Sequence, residues 1–334
     1  MAKRLLGKEV NEAIVANLLE RTNSLREKGV VPTLGIVRVG ADPSDLSYEK
    51  GAVTKGAQVG VEIKKFELPA DATKEQVLAV IDEVNADDTI HGVLMFRPLP
   101  KHLKNDQNEI CNRLDPKKDV DCMTHLSNAG VFEDRDDLGY APCTPAACME
   151  ILDHYNIDCK GKKAVVIGRS LVVGKPAAMM LMKKNATVTI CHTKTVDTAA
   201  ICREADIIIS AAGVLKSLTK DYVREGQVVI DVSMNWDAEK VTAKGVGGMS
   251  GDAVYAEVEP IVDAITPVPG GVGAVTTSVL MKHVVEAAEK TLAKNIRRKP
   301  WKTKSLKPSL LRTKMARKLN ISYMIILNSK AALL

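Results

Sequence analysis

Apolar positions along the first 140 residues alternate between helical spacing and short continuous runs. Apolar side chains at helical intervals predict a helix over residues 7–28, and the run TLGIVRV predicts a strand over 33–39. A second helix is predicted over 44–59. The same alternation continues with a strand at VEIKKFEL, a helix at TKEQVLAVIDEVN that Thr73 can cap, and a strand at IHGVLMF. This half of the chain is therefore predicted to be an α/β domain.

The second half repeats the alternation with a cleaner signal. Four apolar runs, KAVVIG, TVTICH, ADIIISAAG and QVVIDVS, are continuous rather than alternating, which is typical of parallel strands buried on both faces. A helix, KPAAMMLMKKN, follows the first run, and a last helix is predicted over residues 276–290. The pattern favours a Rossmann-like parallel sheet.

Length and composition agree with this picture. A chain of 334 residues, 46% apolar and 26% charged, is long enough for two cores, and it holds no apolar run long enough to span a bilayer. The start, MAKRLLGKEV, lacks an apolar leader, so we expect a cytoplasmic protein. Seven scattered cysteines without a C-x-x-C pair indicate free thiols and no metal site, and Cys122 and Cys143 are expected to be packing residues.

The net charge of +6 is unevenly distributed along the chain. Positions 294–334 hold 12 Lys plus Arg and no acidic residue, so positions 1–293 carry 35 basic against 41 acidic residues. Any basic surface for nucleic acid or acidic lipid must lie in this tail. The tail lacks a convincing amphipathic period and is expected to be disordered. It is either a basic arm that binds RNA or acidic partners or an accidental extension of the chain, and we favour the second interpretation.

A glycine-bearing turn after KAVVIG is the most specific local feature. Gly168, Arg169 and Ser170 begin the segment GRSLVVGKP, which connects that strand to a helix. Such a turn exposes backbone N–H groups and a helix N-terminus, both suited to a pyrophosphate. Because the spacing departs from G-x-G-x-x-G, an ordinary strand-to-helix turn remains the alternative.

The end of the next strand bears on which dinucleotide is bound. An NAD enzyme places Asp or Glu there, whereas TVTICH is followed by Thr193 and Lys194, with no carboxylate before Asp197. Arg169 adds a fork-shaped cation suited to a 2′-phosphate. These features favour NADP over NAD, unless Arg169 and Lys194 are only solvated surface charges.

Three further loops have an unusual composition: ITPVPGGVG at 265–273, YAPCTP at 140–145 and PKKDVD at 116–121. Taken alone, each is most simply a turn that connects secondary-structure elements, but rigid turns also bring the backbone close to ligands. Together with GRS-x2-VG-x-P, and with VGADPS ahead of Tyr48, they stand in an order that resembles the methylenetetrahydrofolate dehydrogenase/methenyltetrahydrofolate cyclohydrolase family. The resemblance runs from about residue 2 to residue 292.

The resemblance implies a two-domain architecture and a function. The expected organisation is a catalytic folate-binding domain over 1–143, completed by a C-terminal helix over 274–292, with an NADP-binding Rossmann domain over 144–273, an active cleft between them, and the basic tail over 293–334. It also implies a homodimer acting in cytosolic one-carbon metabolism.

Individual residues are assigned by the same resemblance. Tyr48 matches the tyrosine that stacks on the folate aminobenzoyl ring, and Asp121 matches the aspartate that holds the pterin; these two are the catalytic candidates. The other matches are the folate-side loop Gly271, Val272 and Gly273, the NADP phosphate turn Gly168, Arg169 and Ser170, Thr193 near the 2′-phosphate, and Met234 beside the nicotinamide.

Two positions depart from the family pattern. The family places a lysine four residues after the tyrosine, and a glutamine that bonds it in V-Q-x-P-L-P; here these positions hold Ala52 and Phe96. Hydrolysis needs a positioned base, whereas hydride transfer needs mainly alignment. We therefore expect an NADP-dependent methylenetetrahydrofolate dehydrogenase whose cyclohydrolase activity is weak, absent or rebuilt through Lys55 or Arg97.

Two rival interpretations stay open at this point. One is a two-domain dehydrogenase of a shikimate-like acid, for which ITPVPGGVG has no explanation. The other is a folate-binding protein without turnover, which Ala52 and Phe96 would favour and the glycine turn with Arg169 would not.

Overall fold

Strands and helices alternate along the chain around two parallel β-sheets. The computed structural model describes residues 1–242 and 245–298, and residues 1–292 form one compact unit. The strands of the described residues are β1 (Lys3–Arg4), β2 (Thr33–Val39), β3 (Glu62–Leu68), β4 (Gly92–Met95), β5 (Lys163–Ile167), β6 (Thr187–Cys191), β7 (Ile207–Ser210), β8 (Val228–Asp231), β9 (Asn235–Thr242), β10 (Gly245–Ser250) and β11 (Ala264–Ile265). The α-helices are α1 (Gly7–Glu27), α2 (Pro43–Val59), α3 (Lys74–Ala86), α4 (Gln107–Asn112), α5 (His125–Glu133), α6 (Cys143–His154), α7 (Gly174–Lys183), α8 (Thr198–Glu204), α9 (Tyr255–Val258) and α10 (Thr276–Arg298).

Both large sheets are parallel throughout. The first has the order β3-β2-β4, and the second has the order β1-β11-β8-β7-β5-β6. Strands β9 and β10 form a separate antiparallel hairpin. Because the strands of a parallel sheet run the same way, the loops that follow them meet at one edge, where α/β proteins bind ligands.

Local signals explain where several helices begin and end. The Thr73 side chain accepts from the backbone N–H of Gln76, and the Gln76 side chain returns the bond, which confirms the predicted cap of α3. Asp42 caps α2 by accepting from the N–H of Ser44, and Gly60 ends that helix in the left-handed conformation. Both helices therefore hold the positions that the sequence pattern predicted.

Some elements differ from the prediction. The last helix was predicted over 276–290 but runs to Arg298, because residues 291–298 contain good helix formers and no glycine or proline. The hairpin β9–β10 was not predicted, since its second strand, GVGGMS, is rich in glycine and shows little hydrophobic alternation. The short helices α4 and α5 were also missed.

One hydrophobic core extends through both halves of the compact unit. It contains Ile36 of β2, Ala52 of α2 and Ile209 of β7, together with the buried faces of α1, α6 and α10. In α10, Val284 lies against Gly92 of β4, so the last helix packs on the first sheet. Because the core is continuous, the boundary between residues 143 and 144 stays a prediction.

The remaining global predictions have simple outcomes. All seven cysteines are free thiols and all are buried, as expected of small packing residues. Among the described residues, no helix combines the length and apolar character needed to cross a bilayer. Most of the predicted disordered tail, residues 299–334, lies outside the described residues.

Candidate active site

The predicted cofactor residues follow one another along the carboxyl edge of the larger sheet. In the spatial order β6, β5, β7, β8 and β11, the loops after the strands carry Thr193, Gly168–Ser170, residues 211–213, Met234 and Gly271–Gly273. This edge is the ligand-binding side of a doubly wound sheet. The topology therefore places residues up to 105 positions apart in one continuous track.

The turn after β5 is held close to its neighbours. Gly168 has a φ of +122°, and a Cβ there would lie 2.3 Å from the carbonyl oxygen of Ala211; a Cβ on Gly174 would lie 2.2 Å from the carbonyl oxygen of Gly168. Only glycine fits these two positions without a shift of the backbone. The Ser170 hydroxyl accepts from the N–H of Val173 at 3.1 Å, which closes the turn at the start of α7. The result is a tight backbone cradle at a helix N-terminus.

The end of β6 lies beside this turn. The N–H of Gly168 donates to the carbonyl of Cys191 at 2.9 Å, so the loop that begins at His192 runs next to the cradle. Thr193 and Arg169 are both exposed at this edge. Their side chains are thus free to meet a ligand that lies across the strand ends.

A buried carboxylate organises the neighbouring loops. Asp252 accepts from the backbone N–H groups of Ala212 at 2.8 Å and Val214 at 2.9 Å, and from the hydroxyls of Ser210 at 3.1 Å and Ser233 at 2.8 Å. It therefore joins the loop after β7 to the loop after β8. Sequence reasoning missed this residue, because an isolated Asp in the segment GMSGDAV carries no motif.

Predicted cofactor and folate residues meet at the end of β8. Met234, with 57% of its surface exposed, and the loop Gly271–Gly273 line one cavity of about 260 Å³. The hairpin helps to hold that loop, since the Lys240 ammonium donates to the carbonyl of Val268 at 3.2 Å. The unpredicted hairpin thus supports a predicted site.

The first sheet places a second group of side chains at its own carboxyl edge. Phe96 and Arg97 follow β4 directly. The chain segment before Asp121 pairs with β4, because the N–H of Val93 donates to the carbonyl of Lys118 at 2.7 Å. As a result, Arg97 Nη2 lies 3.6 Å from Asp121 Oδ2.

Tyr48 completes this group from α2. Its ring lies edge-on to Phe96, with ring centroids 6.0 Å apart and an interplanar angle of 84°. Burial raises the pKa of the Tyr48 hydroxyl, as do the nearby Cys143 and Asp121, whereas hydrogen bonding with Thr276 and Thr277 opposes the shift. The hydroxyl is therefore a neutral donor and acceptor over the physiological range.

The residues Thr276 and Thr277 connect the two groups, and sequence reasoning missed them. Thr276 begins α10 two residues after the loop Gly271–Gly273 ends, and its hydroxyl donates to the carbonyl of Gly273 at 3.3 Å. It thus links the folate-side loop to Tyr48. In the sequence, a Thr-Thr pair at the start of a predicted helix is only a weak indication of a functional site. Its position a few residues after the loop Gly271–Gly273 is the signal that could have found it.

Cys143 and His283 are neighbours but do not form a nucleophile and base. Cys143 Sγ lies 3.9 Å from His283 Nδ1, and that nitrogen lies 2.9 Å from the carbonyl of Val120, to which it donates. Burial raises the pKa of the Cys143 thiol and lowers the pKa of His283. With Nδ1 protonated and bound to a carbonyl, the imidazole cannot take the thiol proton there.

Comparison with known proteins identifies the family. A family model described as tetrahydrofolate dehydrogenase/cyclohydrolase, catalytic domain, matches residues 5–121, and the NAD(P)-binding domain model of the same family matches residues 142–292. The chain belongs to the tetrahydrofolate dehydrogenase/cyclohydrolase family. The resemblance proposed from the sequence motifs is confirmed, as is the α/β fold with a Rossmann-like parallel sheet. Membership in this family excludes the rival dehydrogenase of a shikimate-like acid.

This chain aligns with nearly the whole length of relatives and of solved structures in the family. The bifunctional protein FolD of Carboxydothermus hydrogenoformans is 52% identical over 289 residues, which are 86% of this chain and 98% of that protein. The FolD crystal structure from Campylobacter jejuni has a TM-score of 0.80 at 35% identity, covering 87% of this chain and 99% of that one. The Trypanosoma brucei enzyme, solved with NADP and an inhibitor, has a TM-score of 0.80 at 31% identity, covering 87% and 98%.

The two positions that depart from the tetrahydrofolate dehydrogenase/cyclohydrolase pattern present no proton-carrying group. Ala52 is fully buried in the core, and Phe96 lies against Tyr48. Lys55, one helical turn further along α2, donates to the side-chain oxygens of Asn11 at 2.9 Å and Gln58 at 2.8 Å. Burial lowers the pKa of the Lys55 ammonium, but two amide acceptors hold it as a donor between helices.

Asp231, at the end of β8, is a buried carboxyl that predicts a pH-dependent stability of this family member. Burial raises its pKa from 3.8 to about 6, while the N–H groups of Asp252 and Ala253 donate to it and partly oppose that shift. The folded chain is therefore expected to hold this proton more tightly than the unfolded chain. We expect the free energy of unfolding to fall by about 3 kcal/mol as the pH rises from about 4 to 6. Urea unfolding of the wild type and Asp231→Asn across this range measures the difference. Asp71→Asn, which removes an exposed carboxyl, is the control. Loss of the pH dependence in this control variant would contradict its assignment to Asp231.

Proposed function

We propose that this chain oxidises 5,10-methylenetetrahydrofolate to 5,10-methenyltetrahydrofolate with NADP. The observation that carries the proposal is the continuous track of strand-end loops, from Thr193 and the Gly168 cradle to the shared cavity of Met234 and Gly271–Gly273. The names of the relatives and the NADP-containing neighbour support it. A site that brings a dinucleotide cradle to a folate-side loop suits transfer between the two ligands.

The residues along the track fit NADP. The cradle of Gly168 and Gly174 leaves no room for a Cβ, so its backbone can approach a pyrophosphate at the start of α7. Arg169 and Thr193 would hold the 2′-phosphate, and Met234 would present an apolar surface to the nicotinamide. When bound, NADP supplies the hydride acceptor.

The oxidation itself requires little acid or base catalysis by the protein. A hydride leaves the methylene carbon, and the electron pairs of N5 and N10 stabilise the resulting methenyl cation. As the family resemblance implies, Tyr48 would stack on the substrate and Asp121 would hold the pterin. The Gly271–Gly273 loop, which lines one cavity with Met234, would fix the folate there. Alignment by these groups is the main contribution to rate.

Hydrolysis of the methenyl cation needs a group that positions and deprotonates water. Ala52 and Phe96 carry no such group, Lys55 is bound to Asn11 and Gln58, and Arg97 faces Asp121. We therefore propose that cyclohydrolase activity is weak or absent. The second candidate is a bifunctional enzyme with a rebuilt base; the lowered pKa of Lys55 favours it, and the two hydrogen bonds of its ammonium oppose it.

A two-wavelength assay with methylenetetrahydrofolate and NADP tests these proposals. NADPH formation with methenyl product that decays only at the buffer rate supports a dehydrogenase without hydrolase. Accelerated decay that is lost in Lys55→Ala supports the rebuilt site. Folate binding without NADPH, with NAD tried in parallel, supports a non-catalytic folate-binding protein and overturns the proposal.

Arg169→Ser is expected to weaken the use of NADP selectively. Loss of the guanidinium at the 2′-phosphate should raise KM for NADP about ten- to hundredfold and change KM for NAD less than about threefold. Steady-state kinetics with both cofactors measure this. Lys162→Ser, an exposed cation at the amino end of β5, is the matched control. An equal change for both cofactors would contradict the role of Arg169.

Two implications of the family resemblance, and one of the charge distribution along the chain, complete the proposal. We propose that the chain acts as a homodimer, that it works in the cytoplasm, and that it binds no nucleic acid except through the basic tail. These assignments stay predictions, and nothing in the mechanism above depends on them.

A further inference from the structure

Arg97 and Asp121 form an ion pair in the folate half of the site. Arg97 Nη2 lies 3.6 Å from Asp121 Oδ2, and the two side chains are 24% and 26% exposed. The distance is too long for a hydrogen bond, so each group faces the other and keeps about a quarter of its side-chain surface exposed. In the family motif V-Q-x-P-L-P, Arg97 occupies the unspecified position.

Both groups retain hydrogen-bonding capacity. Asp121 Oδ1 accepts a long bond from the N–H of Cys143, at 3.4 Å. The Cys143 thiol is a second hydrogen-bond partner of this carboxylate. Among the described residues, the Arg97 guanidinium donates no hydrogen bond, and its contact with Oδ2 is the 3.6 Å ion pair. A guanidinium has five N–H donors in a fixed plane, and a carboxylate accepts at both oxygens. The pair therefore presents acceptors next to donors at one place in the cleft.

This arrangement matches one edge of a pterin. The 2-amino group and N3–H are adjacent donors, and the 4-oxo oxygen beside them is an acceptor. Resting on the proposed function, we propose that Asp121 accepts from the two donors while Arg97 donates to the 4-oxo oxygen, so that Arg97 determines specificity for 4-oxo pterins.

The surroundings leave this task to Arg97. The side chains of Ala52 and Phe96 carry no hydrogen-bond donor, and Lys55 is engaged with Asn11 and Gln58. The Tyr48 hydroxyl is engaged with Thr276 and Thr277. An unpaired 4-oxo group in a partly desolvated cleft would weaken binding. A guanidinium beside the pterin carboxylate removes that cost and disfavours a ligand with an amino group at position 4, because two donors would then meet.

Two related ligands test the proposal: tetrahydrofolate and 4-amino-4-deoxytetrahydrofolate, in which an amino group replaces the 4-oxo oxygen and N3 no longer carries a proton. The change at N3 is the same for the wild type and each variant, so the effect of a substitution at Arg97 is read from the ratio of the two affinities. Binding of each to the full chain with NADP present is measured by calorimetry under anaerobic conditions. Arg97→Leu is expected to weaken tetrahydrofolate binding about ten- to hundredfold and binding of the 4-amino compound less than about threefold. Arg97→Lys should give an intermediate ratio, because it keeps the charge but loses the planar fork.

The other outcomes are distinguishable. Equal weakening of both ligands, or of neither, would overturn the proposal and limit Arg97 to its ion pair with Asp121. If the wild type forms no NADPH and binds neither ligand, the proposed function fails and this inference with it. Lys101→Leu, which removes an exposed cation four residues away, is the matched control and should leave the ratio unchanged.

Discussion

The double variant Ala52→Lys/Phe96→Gln is expected to hydrolyse 5,10-methenyltetrahydrofolate at least about a hundredfold faster than the wild-type chain. The family resemblance implies that a lysine and a glutamine at these positions activate water. Ala52 lies on the face of α2 that also carries Tyr48, so a lysine there starts from the correct helix face. The measurement is the decay of methenyl absorbance at neutral pH, corrected for the buffer rate.

The structure suggests why both changes are needed. Ala52 is completely buried, so a lysine at this position must extend out of the core toward Tyr48. The Phe96 ring packs edge-on against Tyr48 and occupies part of the space that the lysine would need. Replacing Phe96 by glutamine provides a polar partner for the ammonium in the place of an aromatic ring. We expect Ala52→Lys alone to lose stability without gaining much hydrolysis.

The control for this experiment is dehydrogenase activity. In the proposed function, hydride transfer depends on alignment by Tyr48 and Asp121, which the double variant keeps. NADPH formation in the double variant should therefore stay within about tenfold of the wild type. Fast hydrolysis in the wild type, unchanged in the double variant, would show that another residue already acts as the base. Thermal unfolding of each variant separates lost activity from lost folding.

Asp121→Asn is expected to lower kcat/KM for methylenetetrahydrofolate about a thousandfold. Asparagine replaces one acceptor by a donor, so one pterin donor faces another donor, and the partner of Arg97 is also lost. Burial raises the pKa of the Asp121 carboxyl and Arg97 opposes that rise, so the wild-type acceptor depends on this pair. Steady-state kinetics with varied folate and saturating NADP measure the loss.

NADP binding provides the control for Asp121→Asn. The cofactor cradle at Gly168 belongs to the other sheet, so the dissociation constant for NADP should change less than about threefold. A large change in NADP affinity would indicate a general disturbance of the fold. Near-normal kcat/KM would show that Asp121 does not hold the pterin.

The site lies at the carboxyl edges of the two parallel sheets, in the loops that follow their strands. Phe96 and Arg97 follow β4, and Asp121 follows a segment paired with β4. Asp252 and Lys240 then fix loops of the second sheet by hydrogen bonds to backbone groups. Backbone groups that are bound in this way cannot move freely, so the site is held in shape before a ligand arrives.

Sequence patterns predicted the elements that carry a strong period or a cap. The buried strands of both sheets, the Thr73 cap and the glycine turn at Gly168 could be found because each depends on residues close together in the chain. The hairpin β9–β10 was missed because its glycines carry no period. Asp252, Thr276 and Thr277 were missed because their partners lie far away in sequence or carry no motif.

By itself, the sequence determined the α/β class, the family and the two departures at Ala52 and Phe96, since these depend on residue identity and local spacing. Only the tertiary structure decided that Lys55 is bound to Asn11 and Gln58, and that Arg97 faces Asp121. The physical reason is that side chains meet where strand ends and helix faces converge. That convergence is set by long-range packing, which the spacing of residues along one chain does not specify.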